Sequence, residues 1–323
     1  MTIGPYSMFP VLAGRFRLDG GAMFGVVPKV LWSKSHPADE LNRIEMVSRS
    51  LLLVGEDRVI LVNTGIGTSW NDKERSIYAI DPTVTLLDSL SALGFAPEQV
   101  THVILTHLHF DHAGGCAVSG STAKGRGLGA VSGGGSAREP GAVSGGSNAG
   151  RSSDSAGSGS GADTRETPIP AFPNAVYFVQ RRHLTWAENP SARDRASFLP
   201  RTWESLIEHG RLELIDGARE LLPGVFLEIV HGHSPFQQLP RITDGTTTLL
   251  YCSDLVPFAS QVRVPWVMSY DLRPVYTVRE KHELLSRAAR ENWLLFLEHD
   301  PLVEHCRVEM TEKGFTVAAQ AAS

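Results

Sequence analysis

The chain has 323 residues, and its 30 Lys and Arg against 35 Asp and Glu give a net charge of −5 at neutral pH. A mildly acidic chain without a long basic run is a poor candidate for nucleic-acid binding, because phosphate recognition needs clustered Lys and Arg. No stretch approaches the roughly 20 consecutive apolar residues that a membrane-spanning helix requires. With 42% hydrophobic residues, the chain can bury a full core.

The beginning of the chain and its cysteines indicate the compartment. The first residues lack the charged start, the unbroken apolar centre and the cleavage site of a secretory signal. Cys116, Cys252 and Cys306 are odd in number and widely spaced, which favours free thiols in a reducing compartment over a disulfide framework. We therefore expect a cytoplasmic protein.

The first elements of regular structure follow from apolar runs and turn residues. Two β-rich runs within 50–65 flank the turn-like segment Gly55–Arg58, and this pattern predicts a hairpin. The Asp-Pro pair at 81–82 has the N-cap and first-turn chemistry of a helix start, and Gly94 ends the helical spacing that follows. Residues 100–106 have the pattern of a buried strand.

The run Thr106–Gly115 contains three of the twelve histidines. Because side chains alternate along an extended chain, His107 and His109 point to one face and can bind one metal ion together. The chain must then turn, so that Asp111 and His112 offer a carboxylate and a third imidazole to a second ion. Such ligands suit Zn, Fe, Mn or Co, and the absence of cysteine ligands argues against a closed structural zinc site.

The segment 117–166 differs from the rest of the chain in composition. Half of its 50 positions, 25 in all, are Gly or Ser, none is aromatic, and the tetrapeptide AVSG occurs three times. Such a segment has too little apolar surface to offset the entropy of ordering it. We expect a single domain over 1–323 that carries a disordered Gly/Ser-rich insertion at 117–166.

The second half alternates strands and helices in the same way. The apolar run within 247–254 ends in an acidic residue, Thr277–Glu280 has the pattern of a capping box for a helix reaching about Trp293, and 294–300 forms another strand that ends in polar residues. Apolar strands that deliver polar residues at their carboxyl ends are typical of active sites in layered α/β folds.

The run His-x-His-x-Asp-His resembles the hallmark motif of the metallo-β-lactamase superfamily, which implies an α/β fold, a four-layer αββα sandwich. The resemblance covers essentially the whole chain apart from the insertion. It asks for a later Gly-His, then an acid at a strand end, then a final histidine, and the matching positions are His233, Asp254 and His299. It thereby assigns His107, His109 and His233 to one metal ion and Asp111, His112 and His299 to the other, with Asp254 shared.

The sequence departs from the superfamily pattern at two positions, and each departure changes what we expect of the site. Members usually carry Asp-Thr-Gly after an early strand, whereas Asn63 begins that triplet here. Asn63 can accept the N–H of a ligand histidine but carries no formal charge, so we expect that histidine to be less basic. The best-known true β-lactamases have cysteine at the position of Asp254, which argues against β-lactam hydrolysis.

The resemblance also implies a reaction. Two divalent ions that share a carboxylate lower the pKa of a bridging water enough to supply hydroxide near neutrality. The expected enzyme is a dinuclear metal-dependent hydrolase in which this hydroxide attacks a carbonyl or phosphoryl centre, and Asp111 carries a proton to the leaving group. The expected cofactors are two divalent ions, zinc first, with Fe, Mn or Co as alternatives.

The most similar branch holds quorum-quenching lactonases and methyl parathion hydrolase-like enzymes. The features in common are the segment 19–25 with Pro28 and Trp32, Phe172–Asn174, and 298–301. They imply hydrolysis of small neutral esters or lactones, including acyl-homoserine lactones, or of phosphotriesters. Bulky residues near the ligand segments are candidate substrate contacts, with plain core packing as the alternative for each. These are Met23, Phe24, Trp32, Phe258, Trp266, Met268 and Tyr270, the last also a candidate oxyanion stabiliser.

Several other functions stay open. Within the fold these are a phosphotriesterase, a thioesterase of the glyoxalase II type and an iron-dependent oxygenase, although a mononuclear oxygenase has little use for His112 and His299 as ligands. From another class comes a non-enzymatic binding protein that keeps metal for stability. A nuclease is disfavoured by the acidic net charge. The expected partner is a small-molecule substrate, with a second copy in a homodimer as an open alternative and with no nucleic acid and no membrane.

Overall fold

The structure, a computed structural model, describes residues 1–119 and 167–318. Its strands are β1 (Thr2–Ile3), β2 (Tyr6–Asp19), β3 (Arg43–Val54), β4 (Val59–Val62), β5 (His102–Ile104), β6 (Ala117–Ser119), β7 (Pro168–Pro170), β8 (Val176–Gln180), β9 (Leu212–Ile215), β10 (Arg219–Leu222), β11 (Val225–Val230), β12 (Gln237–Thr243), β13 (Thr248–Tyr251), β14 (Leu294–Phe296), β15 (His305–Cys306), β16 (Val308–Thr311) and β17 (Gly314–Val317). Its α-helices are α1 (Gly20–Phe24), α2 (Lys29–Trp32), α3 (Asp72–Tyr78), α4 (Leu86–Ala92), α5 (Phe110–Ala113), α6 (Arg181–Glu188), α7 (Glu204–Glu208) and α8 (Pro274–Glu291). Short 3-10 turns lie at Pro97–Gln99, Arg195–Ser197, Pro200–Thr202, Ser253–Leu255 and Ala259–Val262.

Two large sheets contain most of the strands. One has the order β1-β2-β3-β4-β5-β8-β9 and the other the order β10-β11-β12-β13-β14-β15. The predicted hairpin is confirmed, since β3 and β4 pair antiparallel with Leu51 opposite Val62. The strands β4, β5, β8 and β9 run parallel to one another, and β13 runs parallel to β14. The carboxyl ends of these parallel strands therefore meet at one edge, where their loops can build a site.

Three apolar layers separate four layers of secondary structure. Between the two sheets, Leu51 of the first and Leu249 of the second belong to one buried cluster. The outer face of the first sheet is covered by Leu90 of α4 and Leu184 of α6. The outer face of the second sheet is covered by α8 through Leu285. The predicted αββα sandwich is therefore confirmed.

The first predicted helix starts later than expected. Thr85 is its N-cap, and the Thr85 hydroxyl accepts the backbone N–H of Asp88 at 3.2 Å. The Asp81 carboxylate instead accepts the N–H of Thr83 at 2.8 Å, which forms a local turn before the helix. Gly94 follows the helix with a φ of +85°, as its position after the last apolar residue predicts.

The capping box predicted at Thr277–Glu280 is wrong. The helix α8 begins earlier, with Pro274 in its first turn, a position that suits the fixed φ of proline. Glu280 is therefore an interior residue of the helix, and its side chain does not cap the helix start. It accepts the backbone N–H groups of His231 at 2.7 Å and Gly232 at 3.0 Å. Glu280, which the sequence pattern assigned to a helix start, instead holds the loop that leads to the predicted ligand His233.

Three further expectations concern the segment 117–166, the cysteines and membranes. The first three residues of the segment form β6, which pairs antiparallel with β7, and residues 120–166 lie outside the described part of the chain. Cys116, Cys252 and Cys306 are free and buried, as their spacing predicts. Among the described residues, no helix combines the length and the apolar character needed to cross a membrane.

Candidate metal centre

The loops that follow four strands bring the seven predicted ligands together at one edge of the sandwich. The loop after β5 leads into α5, and the loops after β11, β13 and β14 supply the other side chains. All seven residues are buried, with at most 7% of their surface exposed. They are His107, His109, Asp111, His112, His233, Asp254 and His299.

The ligand run 107–112 is positioned by close contact with the turn after β4. The backbone N–H of Thr64 donates to the carbonyl of His112 at 2.8 Å. A Cβ at Gly114 would lie 2.2 Å from the Ile66 carbonyl oxygen, and one at Gly115 would lie 2.3 Å from that of Thr64. The two glycines are required because backbone packs directly on backbone here.

The first group of ligand atoms belongs to His107, His109, His233 and Asp254, and these atoms all lie within 4.8 Å of one another. The Nε2 atom of His233 is 3.0 Å from Asp254 Oδ2 and 3.2 Å from His109 Nδ1. The Nε2 atom of His107 is 3.6 Å from the same carboxylate oxygen. Three imidazoles and one carboxylate thus surround one point.

The second group contains Asp111, His112 and His299. The Nε2 atoms of His112 and His299 are 3.3 Å apart, and His112 Nε2 is 3.6 Å from Asp111 Oδ1. Asp254 adjoins this group too, with its Oδ1 3.0 Å from His299 Nε2 and its Oδ2 3.3 Å from His112 Nε2. A single carboxylate therefore stands between two clusters of ligand atoms.

Unpaired polar atoms test whether these residues fit metal ions. Among the described residues, no hydrogen bond of good geometry reaches three buried atoms, which are His107 Nε2, His109 Nε2 and Asp254 Oδ1, although the last lies 3.0 Å from His299 Nε2. A buried polar atom without a partner costs about 1 to 3 kcal/mol, so a folded protein rarely leaves three in one place. Imidazole nitrogen and carboxylate oxygen are the donors that zinc and similar divalent ions accept. The donor set fits two such ions.

The electrostatics of the cluster favour the metal-binding protonation state at three of its residues, which are His107, His109 and Asp254. At the other three imidazoles burial would lower the pKa values, but neighbouring carboxylates raise them. Burial, followed by the proximity of other imidazoles, lowers the pKa values of His107 and His109 well below the usual value. Burial alone would raise the pKa of Asp254, but three neighbouring imidazoles lower it well below its usual value. Burial raises the pKa of Asp111. Neutral imidazoles and an ionised shared carboxylate are the forms that bind a cation.

The prediction that Asn63 accepts the N–H of a ligand histidine is wrong. Its Oδ1 accepts the backbone N–H of Thr106 at 2.8 Å, not the N–H of a ligand histidine. The Nδ1 atom of His112 instead lies 3.0 Å from a carboxylate oxygen of Glu298. Burial would lower the pKa of His112, but the negative charges of Glu298 and Asp254 raise it well above the usual value. The histidine is thus more basic than expected, and the only sequence signal for Glu298 was its place next to a predicted ligand.

A second carboxylate that the sequence analysis missed supports the other group. Asp271 Oδ1 lies 3.0 Å from His233 Nδ1, and Asp271 Oδ2 accepts the N–H of Met268 at 3.1 Å. The backbone of the same loop also contacts the His233 strand end, where Leu272 N–H donates to the His233 carbonyl at 3.1 Å. Asp271 lies in an irregular loop with no motif of its own, so no pattern in the sequence pointed to it.

An open cavity of about 120 Å³ lies above the cluster. Its floor contains five of the seven ligands, and the described residues that line it include no Lys or Arg. Three of the predicted wall residues, Met23, Met268 and Tyr270, do line it. Burial raises the pKa of Tyr270, which keeps its hydroxyl protonated at neutral pH. The remaining wall residues are Leu18, Met46, Tyr78, Phe110, Ala196 and Ser197.

The other four predicted wall residues do not line this cavity. Phe24, Trp32 and Phe258 are fully buried, and the ring of Phe24 stacks on those of Trp32 and Phe258 at 5.4 and 5.9 Å between centroids. The ring of Trp266 packs edge-on against Phe24 at 5.7 Å. These aromatic side chains form a core cluster behind the cavity wall, because burying their large apolar area there stabilises the fold. The plain packing alternative is the correct one for them.

Comparison with known proteins shows which family and which enzymes the chain is similar to. The model of the metallo-beta-lactamase superfamily matches residues 44–119. An N-acyl homoserine lactonase of Bacillus thuringiensis is 25% identical over 279 residues, which covers 80% of this chain and 83% of that protein. An N-acyl homoserine lactonase of Bacillus cereus is 26% identical over 229 residues, which covers 64% and 67%.

Solved structures share the fold at lower identity. A probable metal-dependent hydrolase from Staphylococcus aureus has a TM-score of 0.77 and 22% identity, covering 99% of this chain and 97% of that one. AidC, a dizinc quorum-quenching lactonase in complex with a product, has a TM-score of 0.72 and 18% identity, covering 100% and 97%. The predicted resemblance to this superfamily is confirmed, as is the predicted class of metal-dependent hydrolase.

Proposed function

We propose that this chain, which has the metallo-β-lactamase fold, is a dinuclear hydrolase of small neutral lactones or esters, with N-acyl homoserine lactones as the first substrates to test. The observation that carries the proposal is the position of Asp254 between two groups of ligand atoms, at the floor of a cavity whose described lining holds no Lys or Arg. The curated relatives support the substrate, since they are N-acyl homoserine lactonases.

The seven side chains divide between two cations in this proposal. His107, His109 and His233 hold one, Asp111, His112 and His299 hold the other, and Asp254 contacts both. When bound, the two cations supply Lewis acidity and lower the pKa of a water molecule held between them. Zinc is the first candidate because tetrahedral histidine and carboxylate sites suit it.

The chain's own residues position the substrate and move the proton. Asp111 is part of the cavity floor, and its Oδ1 lies 3.6 Å from Nε2 of the ligand His112. We assign it the transfer of a proton to the leaving oxygen when the ring or ester opens. Tyr270 also lines the cavity, and its hydroxyl makes no hydrogen bond to another described residue, so it is available to donate to a substrate oxygen.

The cavity lining favours neutral substrates with an apolar group. Leu18, Met23, Met46 and Phe110 give the walls an apolar surface, and among the described residues no Lys or Arg lines the cavity to bind a substrate carboxylate. A thioester that carries carboxylates, of the kind used by glyoxalase II-type enzymes, would lack a cationic partner there. Lactones, aryl esters and phosphotriesters are all neutral, and the experiment must separate these three classes.

The test is a substrate panel with defined metal content. The protein is stripped with a chelator, reconstituted with zinc or manganese, and assayed on N-acyl homoserine lactones of different chain length, aryl esters, phosphotriesters and a glutathione thioester. We expect two ions per chain, complete loss of turnover on chelation, and the highest kcat/KM on a lactone. Turnover that survives chelation contradicts the proposal, and a phosphotriester as the best substrate would replace its substrate class.

A further inference from the structure

The side chain of Asn63 is fixed in one orientation by a donor that cannot accept. Asn63 has a φ of +58°, a left-handed conformation that asparagine and aspartate tolerate better than most residues. Its Oδ1 accepts the backbone N–H of Thr106 at 2.8 Å. Because a backbone N–H only donates, the amide NH₂ group must face the opposite side.

On that side lies the fully buried carboxylate of Glu298. The Nδ2 atom of Asn63 is 3.0 Å from Glu298 Oε1 and 2.9 Å from Glu298 Oε2. His112 Nδ1 is 3.0 Å from the same Oε2. The Nε2 atom of His112 faces the cluster, where it is a ligand atom in the proposed site. A ligand nitrogen carries no hydrogen, so the ring hydrogen of a metal-bound His112 is on Nδ1 and is donated to Glu298.

We infer that Glu298 is the positioning residue for His112, and that Asn63 is the neutral donor that allows a carboxylate to be buried behind this ligand. The inference rests on the proposed two-cation site, to which it adds the source of charge behind the second group. Two N–H donors converge on one carboxylate, which fixes both the ring orientation of His112 and the hydrogen on its Nδ1. Either residue changed alone breaks this match of donor and acceptor.

The geometry also predicts that the two roles can be exchanged. Asn63 Nδ2 is itself 3.0 Å from His112 Nδ1. In an Asn63→Asp variant one carboxylate oxygen keeps the N–H of Thr106, and the other replaces Nδ2 within reach of His112. With Glu298 retained, two buried carboxylates face each other at about 3 Å, which is strongly unfavourable. With Glu298→Gln added, the new amide can donate to the carboxylate introduced at position 63. One carboxylate then again accepts the Nδ1–H of His112.

The experiment measures metal affinity, so that it does not depend on any substrate. Zinc affinity is determined by competition with a chromophoric chelator for the unchanged protein, E298Q, N63D, the double variant and the exposed control E304Q. The melting temperature of each metal-free protein and the absorption spectrum of each cobalt form are recorded as well. We expect E298Q and N63D each to bind one of the two ions about 10- to 100-fold more weakly. The double variant should return to within a few-fold of the unchanged protein, and E304Q should match it.

The outcomes separate this inference from the proposed function. If the unchanged protein does not bind two ions, the proposed function fails and no variant is needed to show it. If the unchanged protein binds two ions but E298Q binds both with the same affinity, the inference is overturned. It is also overturned if the double variant loses as much as the sum of the two single variants. Should E298Q not fold without metal, recovery of both folding and affinity in the double variant supports the inference.

Discussion

The two ligand groups rest on different parts of the molecule. In the first group, His233 is oriented by Asp271, which belongs to the same loop as the cavity residues Met268 and Tyr270. In the second group, the partners lie in the interior between the sheets. There Glu298 backs His112, and the Nδ1 atom of His299 lies 2.8 Å from the backbone carbonyl of Val47 on β3.

This difference separates metal binding from substrate binding. The first group shares its support with a wall of the cavity, so a change behind it should alter the affinity for metal and for substrate together. The second group is supported by the Glu298 carboxylate and the Val47 carbonyl, and neither residue lines the cavity, so a change behind it should alter metal affinity alone. Each of the following variants tests one side of this contrast.

The largest effect is expected for Asp254→Ala, because the Asp254 carboxylate adjoins both groups. Its loss removes a ligand from each ion and the negative charge that the two groups share. We expect both ions to bind much more weakly and kcat/KM to fall by at least about 10³-fold, equivalent to roughly 4 kcal/mol. Metal analysis and steady-state kinetics check this. An alanine variant that keeps two ions and most of its turnover would remove the bridging role.

The next effect is expected for Asp271→Asn. The variant keeps the shape of the side chain but removes the charge that holds His233 Nδ1–H, so the affinity of the first group for metal should fall about 10- to 100-fold. Because the loop also carries Tyr270, KM should rise in the same variant at saturating zinc. The exposed residue Asp216 gives a matched control as D216N. A raised KM in E298Q, or an unchanged KM in D271N, would break the contrast between the two groups.

How far the sequence predicts this site depends on whether a residue's role is local. The ligands of the run 107–112 were predictable because alternation and one turn are enough to group them. His233, Asp254 and His299 were assigned only through the resemblance to the superfamily. Glu298 and Asp271 were not predictable, since their roles depend on which side chain the opposite strand or loop presents. At position 63, for example, the sequence shows an asparagine in place of the usual aspartate, but only the structure shows the Glu298 carboxylate beside it.

The core behind the cavity shows the same limit. Aromatic side chains near the ligand segments were equally consistent with a substrate pocket and with packing, and only the tertiary structure shows that Phe24 and Trp32 stack on each other. Thr277 and Glu280 have the residue types of a capping box, but an earlier proline starts the helix. Local chemistry states what a residue can do, and the packing of distant elements decides which possibility is used.

A smaller effect is expected for Tyr270→Phe, which removes one hydroxyl from the wall that the first group shares with the cavity. If this hydroxyl donates to a substrate oxygen, its loss should cost about 1 kcal/mol, or roughly fivefold in kcat/KM. Metal content should not change, because Tyr270 contacts no ligand through a hydrogen bond among the described residues. Kinetics with a lactone series measure the effect, and the half-exposed Tyr276 serves as the control in Y276F. An unchanged kcat/KM would remove Tyr270 from substrate binding.

The smallest effect on turnover is expected at Lys281, where the change appears in stability. Lys281 is buried in α8 and donates to the backbone carbonyls of Arg263 at 3.0 Å and Trp266 at 2.6 Å, which anchors the start of the segment that leads to Asp271. Burial lowers its pKa from 10.5 to about 7. Between these two values the unfolded chain holds a proton that the folded chain has released, so stability should rise with pH across this window.

The variant Lys281→Met isolates this contribution. The slope attributable to Lys281 is at most about 1.4 kcal/mol for each pH unit between 7 and 10, and K281M should lack it. Urea unfolding of both proteins at several pH values gives the difference, and the exposed Lys73 supplies the control K73M. Because the anchored segment continues to Asp271 and the cavity wall, K281M should also raise KM slightly while leaving the second group intact. Equal slopes for K281M and the unchanged protein would show that Lys281 keeps its proton in the folded state, and the segment would then be anchored by a charged amine.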